Sequence, residues 1–368
     1  MAGLRITLII ALVSSTVFAQ QADRSFNEWD KNKDGRLVRD ELPQRIRGNF
    51  DRVDRDKDGF ISLKEHLAVM SRARKSRQSR VPDAVTMMRD IAYAGTDNPR
   101  QKLDLVLPKK RATEKPLPVI VFIHGGGWRN GDKRSGIGRV AGFVATGQFA
   151  GASIGYRLTD EAQWPAQIHD CKAAIRFLKG NAKKYNIDPD RIAVWGTSAG
   201  GHLVAMLGVS GGVKELEGTL GSHLDQDGRV AAVVNFFGPS ELLTMNAKPG
   251  KIDHDAADSP EGKLIGGAIQ KNRDKARQAS PITWVSKDDA SILNMHGTED
   301  PLVIYDQSVS FHAALQKAGV DSTLVTVKGA GHGFGGPEVD LCVRTFLENR
   351  LLGRSRKLKD QTIQLSPR

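Results

Sequence analysis

The sequence predicts an α/β fold with a doubly wound, mostly parallel sheet, preceded by a small all-α module. Apolar runs typical of buried strands alternate with helical patterns over residues 84–353. A Gly-x-Ser-x-Gly motif lies directly between one such strand and a helical run, and a short acidic motif occurs twice near the N terminus. The chain of 368 residues is long enough for two units of unequal size.

Residues 1–19 have the pattern of a secretory signal peptide. Arg5 provides the positive charge, Ile6 to Val13 form the apolar segment, and Val17-Phe-Ala19 is the small-residue cleavage site. The apolar segment is too short for a transmembrane anchor, and no later stretch is apolar enough to span a bilayer. We therefore expect a mature protein that is exported, to the periplasm or outside the cell, and has no transmembrane segment.

The formal net charge of +12 falls to +11 when Arg5 is removed with the signal peptide. The stretch 71–80 contains five basic residues and no acidic one, and we place a linker at 71–83. Four more basic residues at 354–359 begin a predicted solvated tail, 354–368. Contact of these charges with an acidic polymer stays open. A nucleic-acid partner is not expected, because the basic stretches carry no aromatic-rich motif.

Cys171 and Cys342 are the two cysteines of the chain. Export permits a disulfide, but both residues lie in apolar helical patterns. We therefore expect two buried free thiols.

An internal repeat with a period of 24 residues covers the predicted N-terminal module, residues 20–70. Each copy has acidic or amide side chains at alternate positions, then a glycine, and ends in a glutamate. Ca²⁺ binds about six to eight oxygen atoms, and the glycine provides the sharp turn that lets these side chains converge on the ion. The spacing is that of an EF-hand loop. The expected ligands are Asp30, Asn32, Asp34, Arg36 (carbonyl) and Glu41 in one loop, and Asp54, Asp56, Asp58, Phe60 (carbonyl) and Glu65 in the other.

The tandem arrangement favours an EF-hand pair over an acidic disordered arm. Only 12 residues separate Glu41 from Asp54, so one helix is expected to leave the first loop and enter the second, with Pro43 in its first turn. A sensor needs room to open and expose a groove. We therefore expect calcium to be structural in this compact pair.

The predicted sheet begins after the linker with a strand pair at 91–93 and 103–107. Val119 to Ile123 is a continuous β-branched and aromatic run, which is typical of a strand buried on both faces. Residues 243–281 show little strand pattern and are expected to form an excursion over the site. The other predicted elements are strands at 149–156, 191–195, 230–237, 292–295 and 322–327, and a helix at 167–179.

The Gly-x-Ser-x-Gly motif is Gly196-Thr-Ser198-Ala-Gly200. The apolar run Ile192 to Trp195 precedes it, and the helical run His202 to Leu207 follows. A tight strand–turn–helix connection is the context of a nucleophile elbow, which projects the Ser198 hydroxyl from the end of the strand. The flanking glycines remove Cβ atoms that would clash there, and the helix N terminus favours developing negative charge.

A second glycine-rich motif, His124-Gly-Gly-Gly-Trp128, directly follows the strand Val119 to Ile123. The backbone N–H groups of Gly126 and Gly127, together with that of Ala199, are predicted to form an oxyanion hole. A phosphate-binding loop is disfavoured, because no Lys-Ser/Thr pair follows the glycines.

A serine nucleophile needs an imidazole base and a carboxylate that orients it. Among the nine histidines, His332 is the candidate base, because it lies in a glycine-rich loop between the last strand and the last helix. Asp300, in the turn after the strand that His296 closes, is the predicted acid, and Glu241 after the preceding strand is the alternative. Each member of the set Ser198, Asp300 and His332 follows a separate predicted strand, in the chain order of this triad type.

These motifs resemble those of the α/β-hydrolases in the esterase/lipase branch that carries His-Gly-Gly-Gly, and residues 84–352 are similar to bacterial feruloyl- and acetyl-esterase-like proteins. The resemblance implies a nucleophile, acid and base at Ser198, Asp300 and His332, and oxyanion donors at Gly126, Gly127 and Ala199. One departure is Ile304, where relatives commonly have proline. The EF-hand pair lies outside the resemblance. The matching stretches are His124 to Lys133, Tyr156 to Leu158, Asp188 to His202, Ser280-Pro281, His296 to Asp300 and Gly331 to Phe334.

Together these features predict an exported serine hydrolase that cleaves carboxylic esters through an acyl-enzyme. Calcium is the one expected cofactor, and it is not needed for the chemistry. Export and the resemblance favour acylated polysaccharides as substrates, but the acyl group and the alcohol stay open. The alternatives are a formamidase or peptidase of the same fold, or a calcium-dependent binding protein in which the hydrolase domain is a scaffold.

Overall fold

The computed structural model describes residues 25–78, 81–248 and 252–364, so the predicted signal peptide lies outside the described residues. The chain divides into two compact units, Met1–Val81 and Pro82–Arg368. No helix among the described residues combines the length and the apolar character needed to cross a membrane.

The N-terminal unit is built around two acidic loops joined by a short antiparallel pairing. Strand β1 (Arg36–Leu37) belongs to the first loop and pairs with β2 (Ile61–Ser62) of the second loop. Leu37 and Ile61 thereby enter a small core with three other buried side chains. The helical segments are residues 25–29, the 3₁₀ turn Gln44–Asn49, α1 (Phe50–Val53) and α2 (Leu63–Gln78). Helix α2 extends to Gln78, so the first part of the predicted linker is helical.

The second unit contains a nine-stranded sheet in the order β11-β10-β9-β8-β7-β5-β6-β4-β3. Its strands are β3 (Val85–Ala92), β4 (Lys102–Pro108), β5 (Leu117–Ile123), β6 (Ala150–Ile154), β7 (Ile187–Thr197), β8 (Ala232–Phe236), β9 (Ser291–Gly297), β10 (Ser322–Lys328) and β11 (Gln361–Gln364). Strand β4 is antiparallel to β3 and to β6, and the other neighbours are parallel. The predicted mostly parallel, doubly wound sheet is therefore confirmed.

The strand order reverses beside β5, because β6 lies on one side of it and β7 on the other. In open α/β sheets a ligand crevice forms at such a switch point, outside the carboxyl ends of the strands. Both glycine-rich motifs of the sequence follow these strands, one after β5 and one after β7. The topology therefore brings them to the same crevice.

Helices connect the strands and cover the sheet. Residues 243–281, whose sequence shows little strand pattern, contain no strand among their described residues and have short helices at Pro260–Ile265 and Arg273–Gln278. The helices are α3 (Ile137–Val144), α4 (Ala166–Gly180), α5 (Ala182–Tyr185), α6 (Ala199–Val209), α7 (Lys214–Glu217), α8 (Pro260–Ile265), α9 (Arg273–Gln278), α10 (Asp306–Lys317) and α11 (Pro337–Leu352).

The C-terminal segment differs from the solvated tail that the sequence predicts. Arg354 and Arg356 both form ion pairs with Glu348 of α11. Residues 361–364 then form β11, which extends the sheet in parallel with β10. The prediction of a free tail is wrong here, because Arg354 and Arg356 have an acidic partner within the fold and the polar strand pairs with the sheet edge.

Candidate active site

The nucleophile elbow has the strained geometry that its sequence predicts. Ser198 has φ 56° and ψ −124°, between the end of β7 and the start of α6. Its N–H donates to the Phe236 carbonyl at 2.9 Å. A Cβ on Gly200 would lie 2.2 Å from the Ile123 carbonyl oxygen, so only glycine permits this approach to β5. The turn therefore presents the Ser198 hydroxyl at the carboxyl end of the central strands.

The glycine loop after β5 lies against this elbow. Gly126 has φ +119°, and a Cβ there would lie 2.2 Å from the Asn130 carbonyl oxygen. Among the described residues, no hydrogen bond takes the backbone N–H of Gly126, Gly127 or Ala199. Free N–H groups beside a serine hydroxyl are what an oxyanion hole requires.

The structure brings together the three residues predicted as a triad. His332 Nε2 lies 2.9 Å from Ser198 Oγ. His332 Nδ1 lies 2.7 Å from Asp300 Oδ2. The Asp300 side chain is fully buried, while that of His332 is 17% exposed and accessible to a substrate. This is the nucleophile–base–acid order in which the acid fixes the imidazole tautomer.

Asp300 is held as a carboxylate by its hydrogen bonds. Burial alone would raise its pKa, but the hydrogen bonds from His296, His332 and the Val303 N–H hold that pKa well below its usual range. The alternative acid, Glu241, instead accepts a hydrogen bond from Thr244 and forms none with a histidine in the part of the chain that is described. The geometry therefore favours Asp300.

The two other histidines near the loops support them from the core. Burial lowers the pKa of both His124 and His202 to about 4. The ring of His124 stacks on Tyr156 with 4.4 Å between centroids, and its Nδ1 lies 2.8 Å from the Gly125 carbonyl. His202 accepts a hydrogen bond from the Trp128 indole at 3.2 Å. Both are thus neutral residues that fix the glycine loop.

Three residues of the site were not assigned a role from the sequence. Phe237 has φ 43°, which is rare for an aromatic residue, and its ring lies 4.6 Å from that of His332. Phe334 packs on Phe237 at 5.3 Å. His296 lies 3.3 Å from Asp300 through Nε2. For His296, the available sequence signal is its position at the end of β9, four residues before Asp300.

The segment 252–272 forms one wall of the site. A Cβ on Gly127 would lie 3.4 Å from the Cβ of Pro260, the first residue of α8. The Leu264 carbonyl accepts a hydrogen bond from the Trp164 N–H at 2.8 Å. The predicted excursion thus contacts the glycine loop on one side.

The two acidic loops of the N-terminal unit share one hydrogen-bonding pattern. Asp30 accepts from the Gly35 N–H at 2.9 Å, and Asp54 accepts from the Gly59 N–H at 3.1 Å. Each closing glutamate, Glu41 or Glu65, reaches back to backbone N–H groups at the start of its loop.

The second loop fits a cation. Carboxylate oxygens of Asp54, Asp56 and Asp58 lie within 4.8 Å of one another. Asp54 Oδ1 is buried and has no hydrogen-bond partner in the described structure. A buried, unpaired carboxylate oxygen beside two more carboxylates matches the hard-oxygen donor set that Ca²⁺ prefers.

Comparison with known proteins places the second unit among esterases. The BD-FAE family model matches residues 103–315. Esterase LipC of Mycobacterium tuberculosis is 31% identical over 239 residues, which are 65% of this chain and 58% of that protein. A probable isoprenylcysteine alpha-carbonyl methylesterase of Arabidopsis thaliana is 29% identical, over 66% of this chain and 50% of its own length. The chain thus spans about half the length of these curated relatives.

Two solved structures are similar at higher identity. A truncated carbohydrate esterase from gut microbiota is 35% identical, with a TM-score of 0.67, and covers 73% of this chain and 96% of its own. A bifunctional GH43-CE protein of Bacteroides eggerthii is also 35% identical, with a TM-score of 0.66, over 72% of this chain and 38% of its own. Esterase B of Lactobacillus Rhamnosis, at 19% identity and a TM-score of 0.62, shares the fold.

Proposed function

The chain belongs to the BD-FAE family, and on that premise we propose that it is a serine hydrolase that cleaves carboxylic esters. The observation that carries the proposal is the contact of His332 with both Ser198 Oγ and Asp300. Esterase relatives and carbohydrate esterase neighbours support it.

In the proposed reaction His332 Nε2 takes the Ser198 proton as Oγ attacks the ester carbonyl carbon. The new oxyanion is stabilised by the N–H groups of Gly126, Gly127 and Ala199. The tetrahedral intermediate expels the alcohol, which takes the proton from His332 and leaves an acyl-enzyme. Water then attacks the acyl carbon with His332 again as base, and His332 returns that proton to Ser198 Oγ as the carboxylic acid product departs.

The decisive experiment is Ser198→Ala in the purified protein. We expect ester hydrolysis to fall by about 10⁴-fold or more, with the melting temperature kept, because the nucleophile is lost and the fold is not. A fluorophosphonate probe should label the parent protein and not the variant. Near-normal turnover by the variant would refute Ser198 as the nucleophile, and an unlabelled parent would favour the binding scaffold.

We further propose that the ester belongs to an acylated carbohydrate. The support is the 35% identity to a carbohydrate esterase over 73% of this chain. A panel of acetyl-xylan, feruloyl esters and short p-nitrophenyl esters tests this. A preference for the sugar esters in kcat/KM is expected, while equal rates on all three would remove the carbohydrate from the proposal. Formamide and peptide substrates belong in the same panel.

A second activity, calcium binding by the N-terminal unit, is favoured by the unpaired Asp54 Oδ1 within its carboxylate cluster. We propose the ten expected ligand residues of the two loops for this role. When bound, calcium would offset the repulsion among the carboxylates. Titration calorimetry of the whole chain with Ca²⁺ checks this, and Mg²⁺ is the comparison ion.

We also propose export through residues 1–19, on the strength of their sequence pattern alone. Fractionation of cells expressing the full chain, followed by N-terminal sequencing, should find a mature protein that begins after Ala19. Retention of residues 1–19 would contradict the proposal.

A further inference from the structure

We infer that His296, oriented by Ser308, is a positioning residue that holds Asp300 against His332 during catalysis. The inference rests on the proposed ester hydrolysis, because it assigns a role through the acid of that site. It extends the chain of hydrogen bonds by two residues beyond the triad, to Ser308, His296, Asp300, His332 and Ser198.

The donors and acceptors around His296 determine its tautomer. Nε2 lies 2.9 Å from the Val303 carbonyl oxygen and 3.3 Å from Asp300 Oδ2. Both neighbours accept hydrogen bonds only, so Nε2 must carry the proton and donate it. Nδ1 lies 2.7 Å from Ser308 Oγ, which has a hydroxyl proton to donate. The ring is therefore oriented from both ends.

Asp300 accepts three hydrogen bonds in this arrangement and has a fourth, longer contact with His296. Its Oδ1 accepts from the N–H groups of Leu302 at 2.9 Å and Val303 at 3.0 Å. Its Oδ2 accepts from His332 at 2.7 Å, and His296 Nε2 lies 3.3 Å from the same oxygen while its proton is shared with the Val303 carbonyl. The backbone donors thus fix one carboxylate oxygen, and His296 is the side chain that directs the other oxygen to the base.

Burial makes this contact hard to replace. The side chains of His296 and Asp300 are fully buried, and Ser308 is buried with them. The rings that pack on His296 are Phe237 at 6.3 Å and Tyr305 at 5.8 Å between centroids. Since bulk solvent does not reach the pair, a lost hydrogen bond leaves the carboxylate free to turn or to admit water. A displacement of about 1 Å in a catalytic group is enough to cost about 10²-fold in rate.

The chain contains a matched control. Ser322, His312 and Asp360 repeat the Ser–His–Asp contact, with His312 Nδ1 2.8 Å from Ser322 Oγ and Nε2 3.2 Å from Asp360. Neither Ser322 nor Asp360 contacts the triad, and the Asp360 side chain is 52% exposed. Variants of His312 therefore test the loss of such a contact away from the site.

The experiment compares His296→Leu, His296→Gln and Ser308→Ala with the control His312→Gln. In His296→Gln the amide nitrogen can donate near the position of Nε2, whereas leucine cannot. We expect His296→Leu to lower kcat by about 10- to 100-fold with KM unchanged, and His296→Gln to recover most of it. Ser308→Ala should lower kcat by less than His296→Leu. Because it removes one oxygen atom and keeps the imidazole in the core, it also tests the inference if His296→Leu does not fold.

The pH profile separates positioning from a structural role. A turned carboxylate stabilises the His332 imidazolium less, so the acid limb of kcat/KM should move to lower pH in His296→Leu and Ser308→Ala. The control should keep both kcat and the profile. Unchanged kcat and profile, an acid limb that moves to higher pH, or equal losses in leucine and glutamine variants with equal falls in melting temperature would each overturn the inference.

The proposed function can fail separately. If Ser198→Ala keeps the activity of the parent, Ser198 is not the nucleophile and the serine hydrolase assignment is at fault. If Ser198→Ala is inactive and the His296 variants behave like the parent, only the role of His296 is refuted.

Discussion

Ser198 occupies a backbone conformation that few residues other than glycine adopt. Such strain costs about 1–3 kcal/mol and persists only where the surroundings over-determine it. Here the N–H of Ser198 donates to the Phe236 carbonyl, and Gly196 and Gly200 have no Cβ where one would clash with the backbone. Phe237, one residue beyond that partner, is also at positive φ and packs on His332. Two residues with strained backbones, which follow the neighbouring strands β7 and β8, therefore both contact His332.

The first prediction concerns the acid. Asp300→Asn should lower kcat by about 10⁴-fold, because an amide stabilises the wrong imidazole tautomer and no imidazolium charge. Glu241→Gln should leave kcat within a factor of about two, since its carboxylate contacts Thr244 and not His332. Steady-state kinetics with a p-nitrophenyl ester measures both, and the opposite ranking would relocate the acid to β8.

The second prediction concerns the glycine loop. Gly126→Ala should lower kcat by about 10²- to 10³-fold, because the new Cβ would meet the Asn130 backbone and move the N–H groups that hold the oxyanion. Gly138→Ala is the matched control, since nothing lies within 4 Å of its new Cβ. Kinetics and fluorophosphonate labelling rates should fall together in the first variant only. Unchanged labelling would show that the loop does not form the hole.

The triad could be predicted from sequence because each member follows its own strand within a distinctive motif. The supporting residues could not, because their roles arise from distant contacts. His202 meets Trp128 across 74 residues, and His296 is recognised only when its 3.3 Å contact with Asp300 is seen. A histidine at the end of a strand has the same local sequence pattern whether it only packs in the core or also contacts the carboxylate of Asp300.

At the scale of elements, the continuous apolar runs predict the buried parallel strands, and β5 to β10 lie at the predicted positions. The last strand, β11, was missed because Gln361–Gln364 is short, polar and preceded by a basic run. Its support comes from elsewhere in the chain: Asp360 accepts a hydrogen bond from the Leu324 N–H and contacts His312. Local patterns do not report such partners.

The wall segment 252–272 is held by a buried ion pair, which gives the third prediction. His254 Nδ1 lies 2.9 Å from Glu261 Oε2, and both side chains are buried. Burial opposes the charged imidazole, but the Glu261 carboxylate and the Leu302 backbone outweigh it, so the pKa of His254 is raised. A raised folded-state pKa stabilises the fold below the unfolded value of about 6.5, and this contribution is lost as the pH rises through the folded-state pKa.

The measurement is the melting temperature of the parent and of Glu261→Gln as a function of pH. The parent should exceed the variant most at about pH 6, and the difference should shrink as the pH rises above about 6.5. Asp274→Asn, which changes an exposed i,i+3 partner of Arg277, is the control and should show no such trend. A difference that grows with pH would contradict the assigned sign.

At the scale of the whole molecule, the sequence separates a small acidic repeat from a large α/β unit, and the chain divides at Val81. The period of the repeat and the strand–helix alternation are both local patterns, and for this reason the two units can be predicted from the sequence. The residues proposed for catalysis all lie in the second unit, and those proposed for calcium all lie in the first. Chemistry and ion binding are thereby assigned to units with separate cores.

The last prediction follows from that separation: calcium should stabilise the N-terminal unit and leave turnover unchanged. Among the described residues of this unit the core has five buried apolar side chains, so it resists carboxylate repulsion weakly. Added calcium should raise the first melting transition by mass action.

Calorimetry and ester turnover would be compared in calcium and in excess chelator. Chelation should lower the first transition, keep the second, and change kcat/KM by less than a factor of about two. Asp54→Asn should reproduce the effect of chelation in the presence of calcium, whereas Asp40→Asn, which changes an exposed acid outside the ligand positions, should not. If turnover collapses in chelator and returns with calcium, the loops regulate the enzyme. If neither transition responds to calcium, the loops are not calcium sites, because ion binding to the folded state alone must raise its stability.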